Sequence, residues 1–582
     1  MLNCLKFTKL VFVSLLFSGF FLAGYAQKAV VVADEHDHYF PTHKKDKLPQ
    51  EAKSSEKLKG YLPGFVRYYH SQGYALFSVD SLTESTDTIR VRVYKGAKYT
   101  ESIGVKPDEE LLVRQAGLAP YLQDGHLSIS DYPLLSVKLI RYYENNGFPF
   151  TEVSLDSINM GPEGFRATLH IDQHHFTLFD SIVLGGNAKV RKSYLYPYLG
   201  LRRGKPYRES TVRKIPGRIA ELPFVTEFRS SGIEFIEDKA YLYLFLNKVK
   251  TNQFDGYIGL VPVDESTGKT TLNGELNLNL KNVFGLGETM SVLWRSPEKF
   301  SQYLTLHVNF PYLLWTPFGL DGRFLLDKKD TSYLNVNYMV GIQYSFLGNN
   351  YVKTYFDFTT SQVLSPELLV ITESNFSFFD YKKRMYGLEV AVRKLDYLYN
   401  PRKGFSFLLN AAAGKMNIIK NNRAEEDIYE GIEMSNTRYS ISADVRGYVP
   451  LHARWVLVMG AYGGSLFGSQ NVANELFKIG GMRSLRGFDE NAIEASSYAM
   501  GLFELRFIFA RKSYLHAFFN GGWYEKDIRE GYLKAHPFGF GAGIAFDTRA
   551  GIFHVSYALG KQFDNPISFK TGKIHFGMAL NF

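Results

Sequence analysis

Cysteine is nearly absent from this sequence of 582 residues, in which Cys4 is the only thiol. Because Cys4 precedes an apolar N-terminal stretch, removal of that stretch would leave a mature chain with neither disulfides nor thiol chemistry. Tryptophan is also scarce, at 4 residues against 39 Tyr and 47 Phe. Beyond the N-terminus no run of about 18 apolar residues occurs, so we expect no transmembrane helix in the mature chain.

Motifs for catalysis are missing as well. The sequence contains neither a G-x-S-x-G nucleophile elbow nor a glycine-rich phosphate loop. His36, His38 and His43 cluster near the mature N-terminus, but scattered histidines in a charged tail are usually solvated rather than bound to metal. Lys plus Arg number 67 against 58 for Asp plus Glu, without a dense basic block. We therefore predict a non-enzymatic protein with no metal, no cofactor and no nucleic-acid partner.

Residues 1–26 have the pattern of a signal peptide. Lys6 and Lys9 form its positive region, residues 10–22 its apolar region, and small residues lead to cleavage after Ala26. The alternative is a membrane anchor, but the apolar stretch is shorter than the roughly 20 residues that span a bilayer as a helix. The pattern predicts an exported chain.

The C-terminal half shows a hydrophobic period of two. From about residue 252 onward, apolar and polar residues alternate in segments of about 10 residues, the length of a tilted strand that crosses a bilayer. In one such segment, Leu304, Leu306, Val308 and Phe310 alternate with Thr305, His307 and Asn309. Each strand therefore has one apolar and one polar face.

A soluble β-sandwich would show the same alternation with its apolar faces turned inward. A membrane barrel is favoured because strands recur from 251 to 582 without helical interruption and because their polar faces carry charged residues suited to a water-filled lumen. An open sheet edge in lipid would leave backbone groups unpaired, so the sheet must close. We predict a membrane β-barrel of 16 antiparallel strands over residues 251–582.

The N-terminal half, residues 27–250, has helical segments between short strands. Residues 68–74 (Tyr-Tyr-His-Ser-Gln-Gly-Tyr) recur at 142–148 (Tyr-Tyr-Glu-Asn-Asn-Gly-Phe), and two strand-like runs follow each copy. A weaker third copy has its helical stretch near 209–222. For this copy the alternative is that the likeness is a coincidence. The period predicts three small α/β modules of helices packed on a short sheet. Their predicted bounds are 27–97 (with a partly irregular N-terminus), 98–174 and 175–250.

A glycine-rich signature lies at residues 480–488, which read Gly-Gly-Met-Arg-Ser-Leu-Arg-Gly-Phe. This run resembles the motif of the BamA/TamA-type outer-membrane assembly and translocation family, in which POTRA modules precede a surface-antigen-type barrel. Residues 400–405 (Asn-Pro-Arg-Lys-Gly-Phe) are similar to the family's N-P-x-x-G-F element, and Phe582 fits the aromatic ending of outer-membrane barrels. The resemblance covers nearly the whole chain. It implies that a loop around 470–495 folds back into the barrel lumen.

The resemblance also implies a site within this loop, which comprises Gly480, Gly481, Arg483, Ser484, Arg486, Gly487 and Phe488. Arg486 is its central residue, because a guanidinium in a partly enclosed lumen can hold the barrel wall through several hydrogen bonds. The family pattern F-x-D-x-G places an acidic partner on the wall, but residues 518–522 here read Phe-Phe-Asn-Gly-Gly. The candidate wall partners of Arg486 are therefore Asn520, Glu504 and Phe518. A loop that only plugs and stabilises the barrel is the alternative.

The function that the resemblance implies is that of a non-enzymatic insertase or translocase in the outer membrane of a Gram-negative-type bacterium. Its periplasmic modules would receive unfolded outer-membrane or surface proteins, and clients would be assembled or exported at a seam beside the last strand, which carries Phe576 and Phe582. Outer-membrane lipid and periplasmic or lipoprotein accessory subunits are further expected partners. Two other functions stay open: a dedicated exporter or diffusion pore that passes a substrate through the lumen, and a structural tether.

Overall fold

The computed structural model describes residues 28–42, 48–52, 54–70, 72–74, 76–98, 101–161, 164–264, 269–296, 300–346, 348–365, 378–397, 400–424, 426–482, 484–510, 512–529, 531–548, 551–563, 567 and 569–581. The predicted signal peptide, His43, Arg483 and Phe582 lie outside these residues. The described chain forms two compact units. The first extends to Leu178 and includes Pro206–Ser210, and the second contains the remaining residues from Phe179 onward.

The first sheet of the first unit contains β1 (Lys28–Ala33), β2 (Glu51–Ala52), β3 (Ser78–Glu84) and β4 (Thr88–Tyr94), in the order β2-β1-β4-β3. Helices α1 (Ser55–Lys59) and α2 (Leu62–His70) accompany it. Strand β4 shows why this sheet forms, because Ile89, Val91 and Val93 are fully buried while Arg90 and Arg92 between them face outward. Phe65 of α2 lies in the same hydrophobic core. His36 and His38 are exposed in the turn after β1.

The second sheet contains β5 (Glu101–Val105), β6 (Leu122–Gln123), β7 (His126–Leu127), β8 (Glu152–Gly161) and β9 (Gly164–Asp172), in the order β6-β7-β5-β9-β8. Helices α3 (Pro107–Gln115) and α4 (Tyr132–Glu144) accompany it. In both sheets the first strand pairs in parallel with the last strand in sequence, β1 with β4 and β5 with β9. The two modules of the first unit therefore share one topology.

The repeated sequence at 68–74 and 142–148 has a common structural basis. Tyr69 and Tyr143 are buried in the cores of their respective modules, each with the preceding tyrosine ring set edge-on against it. The glycine that follows each helix takes a left-handed conformation, with φ of 92° at Gly73 and 97° at Gly147. Glycine is favoured there because a Cβ would strain that conformation. The sequence repeat therefore records a repeated helix end.

A third sheet, most of which belongs to the second unit, contains β10 (Leu178–Gly185), β11 (Lys205–Pro206), β12 (Val225–Ile236) and β13 (Lys239–Lys248) in the order β11-β10-β13-β12. Three short helices accompany it: α5 (Lys192–Leu199), α6 (Glu209–Val212) and α7 (Ile215–Ala220). The helical stretch predicted near 209–222 is thus two helices. Pro216 lies in the first turn of α7, where its missing N–H costs no hydrogen bond.

The remaining strands form a closed antiparallel barrel. Their bounds are β14 (Gln253–Asp264), β15 (Lys269–Lys281), β16 (Thr289–Ser296), β17 (Gln302–Phe310), β18 (Phe318–Lys329), β19 (Tyr333–Ser345), β20 (Tyr351–Val363), β21 (Asp380–Leu395), β22 (Gly404–Ile419), β23 (Ser435–Pro450), β24 (Trp455–Phe467), β27 (Ser497–Ala510), β28 (Ser513–Ile528), β29 (Gly531–Ala535), β30 (Phe538–Asp547), β31 (Gly551–Lys561) and β32 (Lys573–Asn581). Strands β25 (Phe477–Ile479) and β26 (Ile493–Ala495) form a separate hairpin. In the described part of the chain, none of the helices is long and apolar enough to cross a bilayer.

Strands β29 and β30 are two parts of one barrel strand. Both pair with β28, β29 at Tyr524–Ile528 and β30 at Tyr514–Gly521. Pro537 lies between them and has no N–H to donate to the ladder, which explains the interruption. Counted this way, the barrel has sixteen strands within the described residues, as predicted.

The distribution of side chains in β19 excludes a soluble sandwich. Val340 and Ile342 are 64% and 54% exposed, whereas Asn337 and Gln343 are 8% and 2% exposed. Apolar side chains thus cover the outer surface and polar side chains fill the inside, as expected for a wall between lipid and a hydrated lumen. The prediction of a membrane barrel is confirmed.

The third module packs tightly against the barrel turns that follow β15 and β17. Tyr194 of α5 stacks on Tyr198 at 5.3 Å between ring centroids and meets Tyr312 edge-on at 5.5 Å. A Cβ at Gly287 would overlap the Tyr194 ring, and the Arg191 backbone N–H donates to the Gly285 carbonyl at 2.8 Å. Since the tyrosines are almost fully buried, this contact has the character of a protein core.

Glu221 lies at the edge of this contact, beside Gly348 of the turn after β19. Burial raises the pKa of its carboxyl, and this outweighs the charge of Arg218 and a hydrogen bond from Tyr198, which lower it. A raised folded-state pKa means that folding favours the protonated acid. The protonated acid therefore adds to the free energy of unfolding. This stabilisation is fully present below the unfolded-state pKa of about 4.3 and is lost as pH rises through the folded-state pKa.

We expect Glu221→Gln to stabilise the second unit relative to the wild type more at pH 7 than at about pH 4.5, because the amide mimics the neutral acid. The measurement is the thermal unfolding midpoint of the full chain in detergent across this pH range. Glu237→Gln, in the exposed turn after β12, is the matched control and should leave the profile unchanged. A Glu221→Gln variant that is less stable than the wild type at pH 7 would contradict this assignment.

Candidate functional site

The segment between β24 and β27, residues 468–496, is the predicted in-folded loop. Strands β25 and β26 form its stem and pair at Phe477↔Ala495, Lys478↔Glu494 and Ile479↔Ile493. The side chains of the loop contact the wall in three places, which we name the base, the stem and the tip.

The base of the loop is fixed to strands β20–β23. The amide of Asn474 donates to Ser361 Oγ at 2.6 Å and to the Phe379 carbonyl at 2.8 Å. Glu475 lies 3.4 Å from both Lys383 and Arg438. The side chains of Arg438 and Glu475 are each only 1% exposed. Removing one partner of such a pair would strand a buried charge, at a cost of about 3–5 kcal/mol.

The stem bridges opposite parts of the wall. Lys478 Nζ lies 2.6 Å from Asp327 of β18, and Glu494 lies 2.9 Å from Lys329 of the same strand. On its other side Glu494 lies 3.0 Å from Lys526 of β28. Since β18 and β28 are far apart in the strand order, the stem crosses the lumen and obstructs it.

The conformation of the tip depends on its glycines. Gly480, Gly481 and Gly487 have φ of 126°, 88° and 97°, values that favour glycine. The Ser484 hydroxyl accepts from the Gly480 N–H and donates to the Gly480 carbonyl, both at 2.8 Å, which closes the turn. Phe488 packs against the hydrophobic cluster around the stem. These residues of the signature therefore shape the turn that presents Arg486.

Arg486 contacts two of its three candidate wall partners. Its Nη1 donates to Glu504 Oε2 at 2.8 Å, and its guanidinium carbon lies 3.5 Å from the centroid of the Phe518 ring. The other oxygen of Glu504 accepts from Arg506 Nε at 2.7 Å. Asn520 is buried, but neither polar atom of its amide has a hydrogen-bond partner among the described residues. The carboxylate missing at position 520 is thus supplied by Glu504 on the neighbouring strand.

Residues of the N-P-x-x-G-F element are tied to this ion-pair cluster. Arg506, which shares Glu504 with Arg486, donates to Asn400 Oδ1 at 3.2 Å. Gly404 has φ of 120°, and a Cβ there would overlap the Lys394 carbonyl. The element therefore closes a strand turn and buttresses the wall beneath Arg486.

Small residues on β30 and β31 form a trough for the tip. A Cβ at Gly539 would overlap the Arg486 carbonyl, and a Cβ at Gly560 would overlap the Gly487 carbonyl. The loop backbone therefore lies directly against the wall backbone. Gly577 of β32 lies beneath Met482. The absence of a side chain at these three glycines makes room for the loop tip against the wall.

Residues 282–582, more than half of the chain, match the Omp85 superfamily domain. The chain belongs to the Omp85 superfamily. Proteins of this superfamily are outer-membrane barrels that handle outer-membrane or secreted proteins and are known as insertases or transporters rather than enzymes. The resemblance to the BamA/TamA-type family is thereby confirmed, and the in-folded loop lies wholly within the matched Omp85 region.

Among solved structures, CdiB from Escherichia coli aligns at TM-score 0.51 and 16% identity, over 89% of this chain and 95% of that one. CdiB from Acinetobacter baumannii also aligns at TM-score 0.51, with 12% identity, over 83% of this chain and 90% of that one. At such identities the likeness concerns the Omp85 fold alone. No curated protein sequence matches the chain.

Sequence reasoning missed several wall contacts of this Omp85 loop. Asn474, Glu475, Lys478 and Glu494 were not singled out, although all four lie within the predicted loop. The available signal was the charge on lumen-facing strand positions such as Lys383 and Arg438, which need oppositely charged partners inside the barrel.

We expect Arg486→Ala to raise the single-channel conductance of the purified barrel, because it removes both the ion pair with Glu504 and the contact with Phe518. The conductance of Arg486→Lys should lie between those of Arg486→Ala and the wild type, since a lysine keeps the charge but lacks the planar guanidinium. Conductance in planar lipid bilayers is the measurement. Asn520→Ala is the control and should conduct like the wild type. If Arg486→Ala stays closed, the base and stem hold the loop without Arg486.

Proposed function

We propose that this Omp85 protein is a non-enzymatic insertase or translocase of the outer membrane. Its periplasmic modules would receive unfolded client proteins, and the seam between β14 and β32 would assemble or export them. The observation that carries the proposal is the weak pairing of that seam.

The seam is the least paired boundary of the barrel. Strand β14 pairs with β15 at eleven positions, and β31 pairs with β32 at eight. Across the seam, the described residues pair at only two positions, Gln253↔Asn581 and Phe254↔Leu580. A backbone hydrogen bond contributes about 1 kcal/mol net, so parting these two strands costs far less than parting any neighbouring pair.

An opened seam would offer strand edges to a client. Residues 256–264 of β14 have no ladder partner in β32 among the described residues, and an exposed edge can template an incoming strand by β-augmentation. Phe576 lies on β32 with its side chain 62% exposed on the outer surface, where lipid would cover it. The geometry supports entry of a client strand from the membrane side.

The modules also offer free sheet edges. In the described sheets β3, β8 and β12 are terminal strands with one paired neighbour each. Strand β12 is the longest of them, at 12 residues. Such edges can bind extended, unfolded segments through their backbone and do not require one particular sequence. This property suits a receptor for many unfolded clients.

The second candidate function, an exporter or diffusion pore, is favoured by a polar cavity in the lumen. The cavity has a volume of about 470 Å³ and is lined mainly by side chains of β15–β22. At its floor Lys353 lies 2.9 Å from Glu389 and 3.7 Å from Asp321, while Arg323 and His307 remain accessible. Such a wall could pass a hydrophilic chain once the loop that crosses the lumen moved aside.

A disulfide across the seam distinguishes these two functions. We expect Gln253→Cys with Asn581→Cys, opposite each other across the seam, to abolish client assembly when oxidised, because the strands could no longer part. Gln253→Cys with Asn279→Cys joins β14 to β15 and is the matched control that should stay active. The measurement is outer-membrane protein content after replacing the wild-type gene. Full activity of the locked seam, with complete cross-linking, would rule out lateral opening and favour passage through the lumen.

Depletion tests the breadth of the function. For a general assembly factor we expect many barrels to fall together in the quantified outer-membrane proteome, because every client needs the same strand template. Loss of one or a few surface proteins would indicate a dedicated translocase. An unchanged proteome would contradict the assembly function.

A further inference from the structure

The tip of the in-folded loop is tied to the last strand of the barrel. The Gly487 backbone N–H donates to Nε2 of His575 at 3.2 Å, and Lys573 Nζ lies 2.8 Å from Asp489 Oδ1. Both wall residues belong to β32, where they are two positions apart and so share the luminal face. The strand that forms one side of the seam is therefore also the strand that holds the loop tip.

The contact with His575 requires one particular protonation state. An imidazole nitrogen accepts a hydrogen bond only when it carries no proton, so Nε2 must be bare and the proton must be on Nδ1. A protonated ring would direct an N–H at the Gly487 N–H. It would also place a second positive charge near Arg486, which acts on His575 electrostatically. Histidine is the side chain whose ordinary titration falls between about pH 5 and 8.

We propose that His575 is a positioning residue that fastens the in-folded loop to the last barrel strand, and that protonation of its Nε2 releases the loop from that strand. The seam pairs at two described positions only. One hydrogen bond and one exposed ion pair to the loop are therefore comparable in number to the pairings that join β32 to β14, whereas the pairing of β32 with β31 is far more extensive. Protonation of His575 removes this hydrogen bond and leaves the exposed Lys573–Asp489 ion pair as the remaining polar contact described between the loop tip and β32.

Charged groups of both signs surround His575. From the loop, Arg486, Asp489 and Glu490 act on it, and from its own strand Lys573. Arg486 is paired with Glu504, and Asp489 with Lys573. Glu490 accepts the Met482 N–H at 2.9 Å. The two carboxylates favour a proton on His575, and the two cations oppose it.

Two further histidines face the same part of the lumen. His575 acts electrostatically on His554 of β31, whose ring stacks on His516 of β28 at 5.0 Å between centroids. Glu504 and Arg506 of β27 act on both rings of this stack. Among the described residues, neither His516 nor His554 forms a hydrogen bond to the loop, so their protonation would not by itself remove the Gly487 contact. A test must still separate them from His575.

The test is the open probability of the purified full chain in planar bilayers, recorded from about pH 8 to about pH 4, because burial disfavours the charged form of a histidine. We expect the wild type to be closed at the alkaline end and to open as pH falls through the histidine range. His575→Gln supplies an amide oxygen that accepts the Gly487 N–H without titrating, so it should stay closed throughout. His575→Phe has no acceptor and should open roughly fivefold more often at pH 8, the effect of one net hydrogen bond.

Lys573→Met is the companion variant, which also serves if His575→Phe fails to fold. Lys573→Met should raise the open probability at all pH values, and its open probability should still increase as pH falls. Correct folding is checked by heat-modifiable gel mobility. A pH step that persists in His575→Gln would assign the response to His516 or His554 and overturn the proposal, as would a wild type without any step. The recording contains no client, so its outcome is independent of the proposed function.

Discussion

In hydrocarbon, every backbone N–H and C=O must find a partner within the protein, because no water is present to supply one. This constraint closes sixteen strands into a ring and turns their apolar faces outward, as in β19. It also gives the seam between β14 and β32 its significance. The neighbouring strands of the wall pair along most of their length, but β14 and β32 pair at only two described positions. The seam between them is therefore the place where the wall can be parted at low cost.

Inside the ring the same low-dielectric wall makes charges interact strongly, and the in-folded loop uses this throughout. Carboxylates and cations meet at its base, its stem and its tip, buried at the base and at Arg486 and partly exposed at the stem, on strands that are well separated around the barrel. The loop is therefore held by distributed ion pairs rather than by Arg486 alone. Displacing it from the lumen therefore requires several contacts to break.

Much of this architecture could be predicted from local sequence. The period of two identified the barrel because lipid on one side and water on the other impose opposite preferences on alternate residues. The echo at residues 68–74 and 142–148 identified repeated modules, because a helix that ends in a left-handed turn needs glycine at the same place. Both signals are local, and a single sequence displays them directly.

The partners of Arg486 were harder to predict, because the register between a long loop and a distant strand is set by the whole fold. The family pattern directed attention to Asn520, but the structure places two of the other named candidates, Glu504 and Phe518, against the guanidinium. His575 and Glu475 were missed for the same reason. Nothing near them in sequence reveals that the loop reaches them. Pro537 likewise interrupts a barrel strand because the surrounding sheet places its missing N–H in the ladder.

The packing of Tyr194 onto Gly287 has a mechanical consequence. Gly287 lies in the hairpin between β15 and β16, and β15 is the fully paired neighbour of β14 at the seam. Because the rigid Tyr194 ring lies directly against the Gly287 backbone, a displacement of the third module moves this hairpin instead of being taken up by a flexible side chain. The third module can thus act as a lever on the barrel rim, and one path by which a load on that module reaches the strand beside the seam is the hairpin between β15 and β16.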